Sequence, residues 1–265
     1  SLEGETKEKF NAIQLELADL STKFSNNVLD ATKAFKLKLT NKEDVAGLPD
    51  SALSLAAQTA RSEGEENATP ENGPWVITLD YPSYLPFLKY AENRELREKV
   101  YKAAVSKASS GEFDNHPHID RILELRKQKA QILGFENYAE LSLARKMAPN
   151  VEAVENLMEE LRQVSFTAAK KELAELTTFS GQPELKHWDI AYWSEKQKEA
   201  KFGFNAEELR PYFSLGRVLE GLFGLAQRLF SVEITAADGE APVWHEDVRY
   251  FKINDESGEQ IASFY

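Results

Sequence analysis

Apolar residues at Phe10, Ile13, Leu17, Leu20, Phe24 and Val28 fall three or four positions apart. On a helix of 3.6 residues per turn that spacing places all six on one stripe, and such a stripe needs another apolar surface to cover it. The pattern fades after about three heptads, which favours a helix packed on a partner helix over a long coiled coil.

The same period returns along most of the chain. It predicts helices from Asp50 to Arg61, from an Asn93 cap to about Ser109, and from Pro117 to Leu133 with Gly134 as the stop. Asn137 with Glu140 resembles a capping box. Asn150 opens a long helix ending near Gly181, with Val151, Val154, Leu157, Met158, Leu161 and Val164 expected to face inward. A further helix covers Trp188 to Ala200. Leu215, Val218, Leu219, Leu222, Phe223, Ala226, Leu229 and Phe230 make the most apolar helix, and it is expected to be the most buried.

Two stretches break this rhythm. "SEGEENATPENGP", residues 62 to 74, is acidic, carries two Gly and two Pro, and reads as an exposed loop. In the "WVITLDYPSYLP" that follows, Trp75 to Leu79 reads as extended, with Pro82 and Pro86 punctuating the next turn. Near the end, Val248, Tyr250 and Lys252 alternate with Arg249, Phe251 and Ile253. "VRYFKIN", "DESG" and "EQIASFY" therefore read as strand, turn and strand, with Gly258 supplying the positive φ of the turn. The expected fold class is mainly α, multi-helical, with a small β-hairpin at the C-terminal end. Residues 1–241 form the helical region and 242–265 the start of a sheet. No repeat of 20 to 50 residues points to a solenoid.

Composition limits the function. A length of 265 residues and 42% hydrophobic residues suffice for a large core. No apolar run approaches the roughly 18 residues of a membrane span. A net charge of -12 repels nucleic acid, and the cluster Arg126, Lys127, Lys129 reads as a solvated helix face. The absence of cysteine removes disulfides, thiolate metal sites and cysteine nucleophiles. The phosphate-binding, dinucleotide-binding and serine-elbow motifs are also missing.

"HEDVR", residues 245 to 249, is one letter from the H-E-x-x-H zinc signature. That signature works on a helix, where positions i and i+4 share a face and two imidazoles reach one metal. Here the fifth residue is Arg249, whose guanidinium stays protonated and does not replace a ligand. The bland reading of His245, Glu246 and Asp247 is a polar turn leading into a strand. The other histidines, in "HPH" at 116 to 118 and at His187, sit at helix starts. The residues thus show no recognisable catalytic centre, and with four histidines and no cysteine a self-contained zinc site would need carboxylates from distant segments.

Six separated blocks then carry a resemblance: "FSNNVLDAT" (24 to 32), "LGFENYAELSLARKMA" (133 to 148), "WDIAYWSEKQK" (188 to 198), "LRPYFSL" (209 to 215), "GLFGLAQRLF" (221 to 230) and "VWHEDVRYF" (243 to 251). In this order they resemble the oligopeptidase A branch of the thimet oligopeptidase family of zinc metallopeptidases. The resemblance implies a helical scaffold cut by a deep channel, with zinc at its floor and short peptides as substrates. It also implies that the catalytic H-E-x-x-H helix lies further along the chain than the "VWHEDVRYF" block, beyond Tyr265. Both ends are accordingly expected to continue in a longer polypeptide, whose C-terminal catalytic region would be the partner of these residues.

On that basis the chain is expected to supply scaffold and channel wall, to bind no zinc itself, and to be inactive alone. Trp188, Tyr192, His245, Phe264 and Tyr265 are the substrate-channel candidates, although core packing competes for Trp188, Tyr192 and Trp193. No nucleic-acid or membrane partner is expected. The expected location is cytoplasmic, with an organelle matrix or stroma as the alternative. The alternative function is a catalytically inactive helical module that binds proteins or peptides.

Overall fold

The computed structural model describes residues 2–203 and 205–265. It divides into two compact units, Ser1–Phe202 and Gly203–Tyr265. In the first, α1 (Gly4–Ala34) leads to β1 (Leu37–Leu39), α2 (Asp50–Ser62), β2 (Trp75–Ile77), α3 (Tyr81–Tyr90), α4 (Arg94–Val105), α5 (His116–Ile132), α6 (Tyr138–Leu143), α7 (Val151–Ser180) and α8 (His187–Phe202). The second holds α9 (Leu215–Phe230) and strands β3 (Glu233–Ala236), β4 (Phe251–Asn254) and β5 (Gln260–Phe264). The architecture is mainly helical, as the periodicity implies.

The first unit has two apolar clusters. The larger joins Leu37, Leu39, Val45, Trp75, Val76, Ile77, Phe87 and Val100 to the small face of α2, Ala56, Ala57 and Ala60. Alanines there let α2 lie close against β2, which pairs antiparallel with β1 from Leu37 opposite Ile77 to Leu39 opposite Trp75. The second cluster is Ile13 and Leu20 of α1 against Leu125 of α5, so the stripe that opens the sequence does find a partner helix. Asn115, just before α5, is buried and bonded through both its oxygen and its nitrogen. Its Oδ1 accepts from Asn27 at 3.0 Å and its Nδ2 donates to the Phe24 carbonyl at 3.1 Å.

Helix ends follow the side chains that can satisfy them. Asn93, Asn137 and Asn150 each accept from a backbone N–H three residues on, at 3.2, 3.0 and 2.9 Å. Gly181 ends α7 at φ +65, a conformation a side chain would strain. In the segment before β2, Ala68 is buried, Arg61 donates to its carbonyl at 2.6 Å, and the Trp75 indole donates to the Pro70 carbonyl at 3.1 Å. Gly73, at φ +67, is covered by the Trp75 ring, which an added Cβ would meet at 2.7 Å.

Three expectations need correction. Pro82 and Pro86 do not mark a turn: Pro82 sits in the first turn of α3 and Pro86 inside it. An early proline has no intrahelical N–H to lose. Pro86 does forfeit a bond, and burial of Phe87, Leu88 and Tyr90 outweighs it. Second, the stripe of α7 does not face inward. Leu157, Met158, Leu161 and Val164 are exposed, Val164 by 80%, because the contacts of α7 are to α6 and α8 near its two ends. Third, α9 is not the most buried helix; none of its residues is buried. Its neighbours in the second unit are three short strands, too small a surface for its apolar arc.

The expected hairpin gains a third strand. The sheet order is β3-β4-β5, antiparallel throughout, with Ile234 opposite Ile253 and Phe251 opposite Phe264. Strand β4 starts at Phe251, not at Val248, because the Asp238 carboxylate takes the Tyr250 N–H at 2.8 Å. Gly258 turns at φ +83.

Candidate functional site

The most heavily bonded polar cluster of the first unit surrounds the start of α8. Asp189 is the third residue of that helix, and its carboxylate reaches back to accept from the Lys186 N–H at 3.0 Å, as in a capping box. The same carboxylate receives Arg94 through two hydrogen bonds, at 2.9 and 2.7 Å, and Arg97 at 3.1 Å. Arg94 and Arg97 come from the first turn of α4, three residues apart and so on one face. Asp189 is 0% exposed, and Arg97 also donates to the carbonyls of Ala91, Glu92 and Trp188. Burial pushes the Asp189 carboxyl up, but the Arg94, Lys186 and Arg97 hydrogen bonds together carry it below the ordinary carboxylate value. Burial conversely lowers Arg97, which remains a cation because a guanidinium starts so high.

Around this pair the aromatic residues gather. Arg97 lies 4.2 Å over the Tyr192 ring, and Arg94 and Lys102 lie 5.8 and 5.4 Å over Trp188. Tyr101 stacks on His187 at 5.9 Å and tilts against Trp188 at 6.1 Å. The buried indole Nε1 of Trp188 has no hydrogen-bond partner among the described residues. Two turns on, buried Glu195 accepts from Tyr90 at 3.4 Å and pairs with Lys89 at 3.3 Å and with Lys198. Trp188 and Tyr192 therefore sit half-buried on one helix, positioned by α3 and α4. Asp189, Glu195, Arg94 and Arg97, which hold that helix, were missed from sequence. Their signal was present: an acidic residue at the third position of a helix inside the "WDIAYWSEKQK" block, and paired arginines opening another.

The remaining candidates lie in the second unit. His245 occupies a turn, closed by Val248 N–H to the His245 carbonyl at 3.1 Å, and its Nδ1 accepts from the Asp247 N–H at 3.2 Å. Arg249 pairs with Asp238 at 3.4 Å. Phe264 stacks on Phe251 at 5.2 Å and meets Phe223 of α9 at 6.2 Å. Tyr265 lies against Trp244 and Tyr250 and donates to the Pro242 carbonyl at 3.2 Å. The structure thus puts Phe264 in a small aromatic core and Tyr265 over the entry to β4.

Zinc needs three protein ligands converging with an open fourth position. Among the described residues no three His, Asp or Glu side chains converge in this way. His245 has only the Asp247 carboxylate beside it, at 3.6 Å. The described residues do not fit the metal.

The profile of peptidase family M3 matches residues 87–265, more than half of the sequence. The chain belongs to peptidase family M3. It is 54% identical over 271 residues to the organellar oligopeptidase A, chloroplastic/mitochondrial, of Arabidopsis thaliana and 52% identical to the probable cytosolic oligopeptidase A of the same plant. Identity to oligopeptidase A of Escherichia coli (strain K12) is 40% over 274 residues. Each match covers all of this chain but only 34%, 38% and 39% of the relative. The chain thus spans little more than a third of these M3 relatives. The M3 match begins at Phe87, so it takes in the Arg94–Arg97–Asp189 cluster and the whole second unit.

Proposed function

We propose that this chain supplies scaffold and channel wall to a zinc-dependent metallo-oligopeptidase that hydrolyses short peptides, with the zinc ligands coming from residues outside these 265. One observation carries the reading: membership of peptidase family M3 in a chain whose described residues hold no three-ligand group. The relatives' names, oligopeptidase A, supply the substrate class. In such an enzyme a bound zinc would supply Lewis-acid chemistry, held by ligands outside these residues. The role of this chain is then to shape the approach. Trp188 and Tyr192, half-buried and held by two arginines, and His245, Phe264 and Tyr265 are the candidates for lining it. Nearly equal identity to a cytosolic and an organellar relative favours neither compartment.

The test is zinc stoichiometry and hydrolysis of a short quenched peptide by the 265-residue chain. The expected result is less than stoichiometric zinc and no chelator-sensitive cleavage. One zinc per chain with cleavage abolished by chelator would sink the reading. Tight peptide binding without zinc or cleavage would favour the binding-module alternative.

A further inference from the structure

The helix α9 has two apolar flanks, and the second unit covers one. Leu219, Phe223 and Ala226 are half-buried toward the sheet, where Phe223 meets Phe251 at 5.1 Å. Leu215, Val218, Leu222, Leu225 and Leu229 lie on the other flank and are all exposed, from 44% at Val218 to 74% at Leu215. Their spacing is three, four, three, four. That is the seam a second helix reads, since a strand would meet a period of two. Gly221 leaves open space beside the seam, with nothing within 4 Å of where a Cβ would stand.

Charge narrows the choice of occupant. Arg217 and Arg228 lie roughly three turns apart, on one side of the helix, and among the described residues neither has an ion-pair partner. The only carboxylate of α9, Glu220, is three residues on from Arg217 and lies on the face directly opposite the leucine seam. A second copy of α9 would therefore bring arginines and no carboxylate to the edge of the seam. A seam of five positions is also short, and helices of this length are marginal without further packing. The relatives, meanwhile, are nearly three times as long as the stretch matched.

We propose that the outer face of α9 is a docking face for a helix of the family-length polypeptide outside residues 1–265, one with an aliphatic seam and carboxylates along one flank. This rests on the reading that the chain works as part of a longer M3 enzyme. The test uses the 265-residue chain and, as its probe, the Arabidopsis organellar oligopeptidase A from which the matched stretch has been removed. The two are mixed and their association is measured. Wild type is expected to bind, with α9 amides gaining hydrogen-exchange protection. Leu222→Glu with Leu225→Glu should bind at least tenfold more weakly. Arg217→Glu with Arg228→Glu should bind several-fold more weakly and lose part of the salt dependence. All four positions are exposed, so circular dichroism should not change. Equal binding by wild type and the leucine variant, with α9 unprotected, would overturn the docking face and leave the scaffold reading intact. Failure of the wild-type chain to associate with a probe that circular dichroism and cooperative melting show to be folded would overturn both. A dimer of the chain alone, abolished by the leucine variant, would make a second copy the occupant and also overturn the proposal.

Discussion

Helices α8 and α9 are each 16 residues long, and each behaves against its composition. Apolar and charged residues are scattered around α8, yet it buries Asp189 and Glu195. The apolar residues of α9 are gathered on one side, yet it buries none. The difference lies in the neighbours. Helix α8 is packed by α3, α4 and α7, and the first two supply cations to both of its buried carboxylates. Helix α9 meets three short strands. Burial of a side chain is therefore a property of the surface offered to it, and only second of the side chain itself.

The comparison can be broken most forcefully at Asp189. Asp189→Ala leaves Arg97 buried with its charge uncompensated, a change that costs about 3–5 kcal/mol. Denaturant unfolding of the chain should show that loss in the transition of the first unit. A change below about 1 kcal/mol would mean that apolar contacts alone hold α8. The pH dependence gives the sign independently. The folded Asp189 pKa is depressed below its ordinary value of 3.8. Its contribution is therefore complete above about that value in the unfolded chain, and is lost as pH falls from there through the folded pKa. In wild type, stability should decline on acidification below roughly pH 4, and Asp189→Asn should flatten the decline.

A smaller effect sharpens the other side. Phe223→Ala removes the contact of α9 with Phe251 and Phe264. For a half-buried ring the expected loss is about 1–2 kcal/mol, below the range for a fully buried one. It should appear as earlier melting of the second unit by near-ultraviolet circular dichroism, with the first unit unaffected. Smallest of all should be Leu225→Lys, within about 0.5 kcal/mol, as for other exposed positions. It should also lower the binding of a hydrophobic dye to the chain. A loss above about 2 kcal/mol would show that the outer face of α9 is already covered in the isolated chain.

Much of the local structure was legible. Asparagine caps at 93, 137 and 150 and the stop at Gly181 were readable because a cap involves residues within three or four positions of each other. The α1 stripe was readable for the same reason: period reports a face. Strand β3 was harder, since "EITA" is short and acquires meaning only from pairing with β4 across an intervening turn. The α8 cluster was half legible. Sequence placed Trp188 and Tyr192 on a helix, but not Asp189 beneath them, because its partners lie about 90 residues away.

The sequence by itself settled most of the helical segments, α3 excepted, where most of them start and stop, and that the striped ones such as α1 and α9 need a partner. Those properties depend on backbone hydrogen bonds and side chains a few residues apart. It also settled the kinship with M3 peptidases, which is a matter of residue order. Only the tertiary structure decided which stripes are satisfied. Ile13 and Leu20 meet Leu125, whereas Leu161 and Leu222 meet solvent. An apolar face specifies a need for contact and not its source, and the source is fixed by how distant segments come together.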